Sequence, residues 1–426
     1  MYNHKMTTFI LKLAGLILFI IKSTFVYSQN NIVGVLNKTL IPISSPINQR
    51  NFSFLDTILQ KNTILSLGEE THATREFFLT KSEIIKYCVT NLDYKIISIE
   101  ADFSGTSAVN DYITQGKGKI SEVIYKMGIA AWMTTEMVEL IEWLKEFNSQ
   151  QDKSNQVLFY GFDMQFSSNL VSELKESILK NENLTEQSRE YFNKISNPQL
   201  ISQEINKAKS STLIDELNRI PLSNYSLGQI EYYTQLINVF EQYLSFKLAP
   251  EGKERLLLRD KSMASNISWL YETHKKKIIV WAHNEHITKD KSYYEIRTMG
   301  SYLSENFGKH YYAIGFFTGE GSLGFYNKIK KGIDYINIPK DTQKKSINSQ
   351  LGQCIGDNYF LDISKTSDCG FNNKEYLIRS VTLYFDVRSN EYKSYNSYRK
   401  GSIGNNFDGL IYLRKTTGAT PFSSEK

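Results

Sequence analysis

Cysteine is scarce in this chain, with three thiols in 426 residues: Cys88, Cys354 and Cys369. Three are too few for a disulfide framework, and their spacing forms no zinc site. Cys88 falls in a helical pattern and reads as a buried thiol. Cys354 and Cys369 could pair across a loop in an exported protein. Charge of one sign is also missing. The formal net charge is +5, and the first 28 residues carry Lys5, Lys12 and Lys22 without an acid, leaving +2 for the rest. That balance points to no nucleic-acid partner and to no polybasic membrane surface. There is no internal repeat and no low-complexity tract. No serine stands in a Gly-x-Ser-x-Gly elbow, which argues against a nucleophilic triad. A phosphate-cradling loop is absent too, since Gly68 is solitary and "GLIYLRKTTG" lacks the required spacing.

Long apolar runs are confined to the N-terminus. There "LAGLILFII" follows a lysine, has about the length of a signal-peptide core and is too short to span a bilayer. Val26, Tyr27 and Ser28 then offer a cleavage site before Gln29. The expectation is a signal peptide over 1–28, export to the periplasm or beyond, and a mature domain over 29–426 with no stable membrane insertion. An uncleaved anchor is the alternative, because Lys22 follows the run directly. No cysteine near the run supports a lipid anchor.

What the chain has in quantity is short β-branched and aromatic runs separated by helical patterns. "TILSLG" (63–68), "YKIISIEA" (94–101), "QVLFYGFD" (156–163), "KIIVWAH" (277–283) and "YYAIGFF" (311–317) read as buried strands. "VTLYFDV" (381–387) and "GLIYLRK" (409–415) are candidates to complete the sheet. Such alternation predicts an α/β fold with a mainly parallel central sheet flanked by helices. Residues 74–92 and 135–148 show helical spacing. From about 165 to 275 no strand is evident, so a helical lobe is inserted there, covering the carboxyl edge of the sheet, with Pro221 marking a break. Its aromatic stretch "YSLGQIEYYTQLINVFEQYLSF" could wall a large substrate, although packing between helices is the simpler reading.

Ligands in open α/β sheets bind outside the carboxyl ends of the strands. Just past the first strand stand Glu69 and His72. The second ends in Glu100, the third in Asp163, and the fourth in His283, with His286 three residues on. Only six histidines are present, and three of them fall at strand ends beside acids. Singly, each has a plain structural explanation: Glu69 or Thr71 could cap the next helix, and Glu100 could pair with an arginine. Together they predict one shared site. A histidine held by carboxylates suits general-base activation of water, with cationic or imidazole groups opposite to stabilise an oxyanion. The same Glu69, His72, Glu100 and His283 or His286 would also be acceptable ligands for a divalent metal.

With these residues in view, the sequence resembles the erythromycin esterase family. The resemblance is carried in order by "LGEETHATREFF", "IEADFSGTSAVNDYI", "TTEMVELIEWLKEFN", "FYGFDMQ", "RDKSMASNISWL", "VWAHNEHI" and "MGSYLSENFGKHYYAIGFFTGEGS", and it runs from about residue 35 to "FDGLIYLRKTTGATPF". It implies a cofactor-independent hydrolase that opens carboxylic esters, macrolide-type lactones among them, by attack of water without an acyl-enzyme. His72 matches the family's general base, Glu69 and Glu100 the acids around it, and His283 a further essential histidine. His286, Arg75 and Arg259 match positions associated with the substrate cleft, and Asp163 stands beside them at its strand end. Arg259 could equally be a helical ion pair with Asp260. The family pattern usually has a small residue after the glutamate and glycine after the histidine, whereas this chain has Glu70 and Ala73. Two alternatives remain open at this point: a metal-dependent hydrolase of peptide or ester bonds using the same residues, and a non-enzymic binder of an envelope glycan or lipid.

Overall fold

The computed structural model describes residues 32–165, 168–178, 184–197, 200–223, 225–291, 295–327, 332–386 and 391–422. The proposed signal over 1–28 lies outside the described residues. No helix among those described is long and apolar enough to cross a membrane.

Among the described residues there are eleven strands: β1 (Ile41–Pro42), β2 (Ile64–Leu67), β3 (Tyr94–Asp102), β4 (Leu158–Asp163), β5 (Lys277–Trp281), β6 (Tyr311–Asn327), β7 (Gly332–Ile338), β8 (Asn358–Asp362), β9 (Glu375–Asp386), β10 (Glu391–Ser402) and β11 (Gly409–Lys415). The main sheet has the order β1-β8-β11-β6-β2-β5-β3-β4, with β7 paired to β6. From β11 to β4 every pairing is parallel. β8 and β1 add an antiparallel edge. β5 follows β2, β3 and β4 in sequence but inserts between β2 and β3, so the strand ends carrying Glu69, His283, Glu100 and Asp163 become neighbours.

Alternate residues of the central strands face opposite layers, as the two-residue period requires. Leu65, Leu67, Ile97, Ile99, Ile279 and Trp281 pack with Phe77, Phe78, Ile84 and Ile85 of helix Arg75–Asn91 and with Leu140 and Leu144 of helix Thr135–Ser149. Ile64, Ile96, Ile278 and Val280 turn the other way, onto Met263, Ile267 and Leu270 of helix Lys253–His274.

Between β4 and β5 the described chain is helical: Ser168–Ile178, Glu186–Ile195, Ile201–Glu204, Lys207–Asn218, Leu227–Leu248 and Lys253–His274. This lobe has its own core. Tyr233, Leu236, Phe240, Tyr243 and Leu244 of the aromatic stretch are buried in it, so most of that stretch is packing between helices. The lobe meets the sheet at its carboxyl edge, where Asn169 Nδ2 donates to Asp102 Oδ2 at 2.6 Å.

Two expectations need correction. The run at 381–386 joins β9, which pairs with β10 as a separate two-stranded ribbon rather than completing the main sheet; residue 387 of that run lies outside the described residues. The strand that does extend the sheet beyond β11 is β8, within a stretch the sequence left unassigned. Cys354 and Cys369 are both unpaired. One precedes β8 and the other follows it, so an extended strand about 17 Å long separates them.

Candidate active site

The turn after β2 carries Glu69 and His72. His72 Nδ1 lies 2.5 Å from Glu69 Oε1 and donates to it. Gly68 permits the turn, since a Cβ there would fall 2.0 Å from Asn284 Oδ1 in the turn after β5. The following helix begins only at Arg75, with Thr74 at its N-cap, so neither Glu69 nor Thr71 caps it. The second Glu69 oxygen accepts from Lys81 Nζ at 2.6 Å and from the Trp281 indole at 2.8 Å. Burial opposes ionisation of Glu69, but Lys81 and His72 bring its pKa down to about 2.

Burial would lower the His72 pKa, yet the hydrogen bond and charge of Glu69 raise it above the ordinary histidine value. Its side chain is 44% exposed, which weakens the burial penalty and favours the upward direction. No described residue hydrogen-bonds to its Nε2.

Glu100 sits where β3 gains one residue over β4, between the pairs Ile99–Gly161 and Asp102–Asp163. Such a bulge re-aims the side chains at a strand end. Gly161 makes room for it, because a Cβ there would fall 2.4 Å from the Ala101 carbonyl oxygen. Glu100 Oε1 accepts from Arg259 Nη2 at 2.7 Å, and Oε2 accepts from the His283 backbone N–H at 3.0 Å. Its carbonyl accepts from the Trp132 indole at 2.8 Å. Burial works against charge on Glu100, but His286, Arg259 and His72 hold its carboxyl well below the usual range.

Arg259 passes over its neighbour Asp260 and forks onto Asp163, with Nε 3.3 Å from Oδ1 and Nη2 2.8 Å from Oδ2. Asp260 instead accepts from His286 Nδ1 at 3.0 Å and from the Met299 N–H at 2.8 Å. His286 Nε2 lies 3.3 Å from Glu100 Oε1 and 3.0 Å from Arg259 Nη1. The arginine contact alone would suit a neutral ring, but a carboxylate faces each nitrogen and favours the cation. Burial opposes that charge, yet Asp260 and Glu100 raise the His286 pKa to about 10.

His283 differs from the other two histidines. It caps the one-turn helix Asn284–Ile287. Nδ1 accepts from the Glu285 N–H at 3.2 Å, and Nε2 donates to the Glu70 carbonyl at 2.9 Å. Both nitrogens are committed, which fixes a neutral tautomer. Burial, with the charge of His72 adding to it, pushes the His283 pKa down to about 4. Its ring stands edge-on to His72, centroids 5.3 Å apart. Arg75 is half-exposed, with Nε 3.4 Å from Glu136.

The two departures in the first motif have distinct places. Ala73 adopts φ +54°, the left-handed region where glycine carries no penalty. Glu70 points away from Glu69 into a buried pocket, where it accepts from Arg379 Nε, the Thr318 N–H at 2.9 Å and Asn348 Nδ2 at 2.8 Å. Its backbone carbonyl also accepts from the Val381 N–H, tying the turn to the β9–β10 ribbon.

The structure therefore groups Glu69, His72, Glu100, Asp163, Arg259, His283 and His286, with Arg75 turned to Glu136. Sequence reasoning missed Lys81, Trp281, Trp132 and the orienting role of Asp260. For Lys81 a signal existed. It lies in the same helical stripe as Phe77, Phe78, Ile84, Ile85 and Cys88, and a lysine at the centre of an apolar face has to be buried. Among the described residues, no three His, Cys, Asp or Glu side chains form a group able to hold a metal ion. Beside Arg259 a cavity of about 290 Å³ opens toward the lobe, lined by Gln165, Phe246 and Arg255 among others.

Several known proteins are similar to this chain. The chain is 27% identical over 316 residues to the putative hydrolase YbfO of Bacillus subtilis, covering 66% of this chain and 70% of that one. It is 21% identical over 412 residues to erythromycin esterase type II of Escherichia coli, covering 87% and 93%. A mutant of erythromycin esterase EreC, solved in its open conformation, has the same fold with a TM-score of 0.61 at 16% identity, over 90% of this chain and 98% of that one. Residues 89–416 match the erythromycin esterase family, a span that starts after the turn bearing Glu69 and His72. That match covers most of the chain, which belongs to the erythromycin esterase family.

Proposed function

We propose that this protein hydrolyses carboxylic esters, macrolide-type lactones among them, with water activated by His72. The observation that carries the reading is the 2.5 Å Glu69–His72 hydrogen bond beside a half-exposed ring. Because Nδ1–H is held by Glu69, the basic lone pair is on Nε2, the nitrogen that no described residue engages. A water hydrogen-bonded there gives its proton to Nε2 as its oxygen attacks the ester carbonyl, and Glu69 stabilises the imidazolium that forms. Negative charge gathering on the carbonyl oxygen is met by the cationic side of the cleft, Arg259 and His286. The imidazolium then returns its proton to the leaving alkoxide, so ester and water become acid and alcohol without an acyl-enzyme. In this scheme Asp163 and Asp260 orient Arg259 and His286, and His283 supports the ring of His72. The scheme also gives Arg75, half-exposed on the first turn of its helix, a contact with substrate.

The acids offer little to a divalent ion, because Lys81, Arg259 and His286 already neutralise them. The scheme accordingly uses no metal or other cofactor. The signal-like N-terminus adds that hydrolysis takes place outside the cytoplasm. The lactone reading leans on the erythromycin esterase relative.

The test is to incubate the purified protein, before and after extended chelation, with a panel of macrolides and aryl esters and to follow the gain of one water by mass. Turnover that survives chelation and disappears in a folded His72→Ala variant is expected. Full activity in His72→Ala refutes the mechanism.

A further inference from the structure

Lys81 is fully buried, and a buried ammonium is expensive to keep. Its position is informative because it occupies one oxygen of the carboxylate whose other oxygen holds His72. The rest of its surroundings is aromatic: Nζ lies 4.6 Å from the Trp281 ring centroid and 5.2 Å from that of Phe316. A lysine needed only for packing would be replaced there by methionine at no cost. We infer that Lys81 is a positioning residue that holds Glu69 in place and sets how tightly the Glu69–His72 pair binds its proton. This rests on His72 being the base.

The groups that act on this pair come from every side. Glu69 is on its own turn, Lys81 on the following helix, Glu100 at the end of β3, and His283 after β5. Glu69 and Glu100 favour a proton on His72, and Lys81 opposes it. The hydrogen-bond chain from Nζ through the carboxylate to Nδ1 puts the ammonium on the order of 7 Å from the ring. At an effective dielectric of about 20, a unit charge at that distance changes a proton-binding constant by roughly ten- to fiftyfold. Burial also brings the lysine itself to a pKa of about 8, so its charge is present through neutral pH and fades above it. Without Lys81, His72 stays protonated to higher pH and is a poorer base at neutrality.

The experiment is an NMR titration of the His72 imidazole in the whole protein, with histidine-selective labelling, in wild type and in Lys81→Met. The resonance is assigned by its loss in His72→Ala. The titration midpoint is expected to move to higher pH in Lys81→Met, with the proton concentration at midpoint falling about tenfold or more. The acid limb of kcat/KM should follow it. An unmoved midpoint in folded Lys81→Met overturns the inference. Should that variant fail to fold, Lys81→Gln removes the charge while keeping a donor to Glu69, and the same shift or its absence decides. A shifted midpoint with no ester hydrolysed upholds the role of Lys81 and refutes the proposed function. Hydrolysis with an unmoved midpoint does the reverse.

Discussion

Replacing Glu69 with glutamine keeps the shape of the site and removes one charge, and its two consequences differ in pH dependence. The amide must choose how to lie. Its oxygen is drawn to the side where Lys81 and the Trp281 indole both donate, which leaves its NH2 facing His72 Nδ1. Nδ1 then has to accept, the ring proton moves to Nε2, and the basic lone pair no longer faces the cleft. Comparable wrong-tautomer changes cost about 10⁴ in turnover. Stability also falls, because Lys81 is left buried without its counter-ion, a loss of about 3–5 kcal/mol. Deprotonation relieves part of this: Lys81 already titrates at about 8 in the wild type, so neutralising it at pH 7 costs only about 1–2 kcal/mol and holds the deficit below that range. In the variant, the folded-state lysine pKa is depressed below the unfolded one, so the unfolded chain binds more protons. Stability therefore rises with pH more steeply than in the wild type, and the deficit closes toward pH 9, where Lys81 is largely neutral in both proteins. Urea denaturation at both pH values, with kcat/KM measured in parallel, checks each part. The double variant Glu69→Gln/Lys81→Met should recover stability but not activity. Recovery of activity in the double variant would show that Glu69 matters only for folding and would refute the reasoning.

Two further outcomes follow from other parts of the site. Gly161→Ala would press a methyl into the β3 bulge at about 1–3 kcal/mol and shift Glu100, so a folded variant should lose activity by more than its change in melting temperature explains. Unchanged turnover would show that the bulge does not position the acid. Asp260→Asn removes one of the two charges that raise His286 to about 10 from its ordinary 6.5. A raised folded-state pKa contributes stability that is complete below the unfolded value and lost as pH rises through the folded one. The variant should therefore be weaker than wild type by about 2–3 kcal/mol at pH 6, with the gap closing toward pH 10 in urea denaturation. A gap that does not vary with pH would mean that His286 carries no charge.

Strand ends were legible because buried parallel strands have no other reason to stop at a charge. The five β-branched runs through β6 therefore declared the sheet, and the ionisable ends of the first four marked its candidate functional edge. Side-chain reach was not legible. Arg259 selects Glu100 and Asp163, 159 and 96 residues away in sequence, over the adjacent Asp260. That choice follows from the face of helix Lys253–His274 turned to the sheet, and sequence proximity does not reveal it. Lys81 stayed hidden because lysine is conventionally assigned to the surface, although its helical stripe said otherwise. β9 misled for another reason: its apolar, β-branched run fits a buried strand, yet its partner β10 is rich in polar residues, and strand pairing depends on both.

Glu70 and Arg379 bring a segment 309 residues distant against the turn that presents His72. Glu69 is anchored on one side of that turn and Glu70 on the other, each inside protein and each held by a cation. Displacing the turn would expose two such anchors at once, so this side of the cleft is a fixed anvil. On the proposed function, differences in substrate bulk would be taken up by the lobe beside Arg259, which has a core of its own.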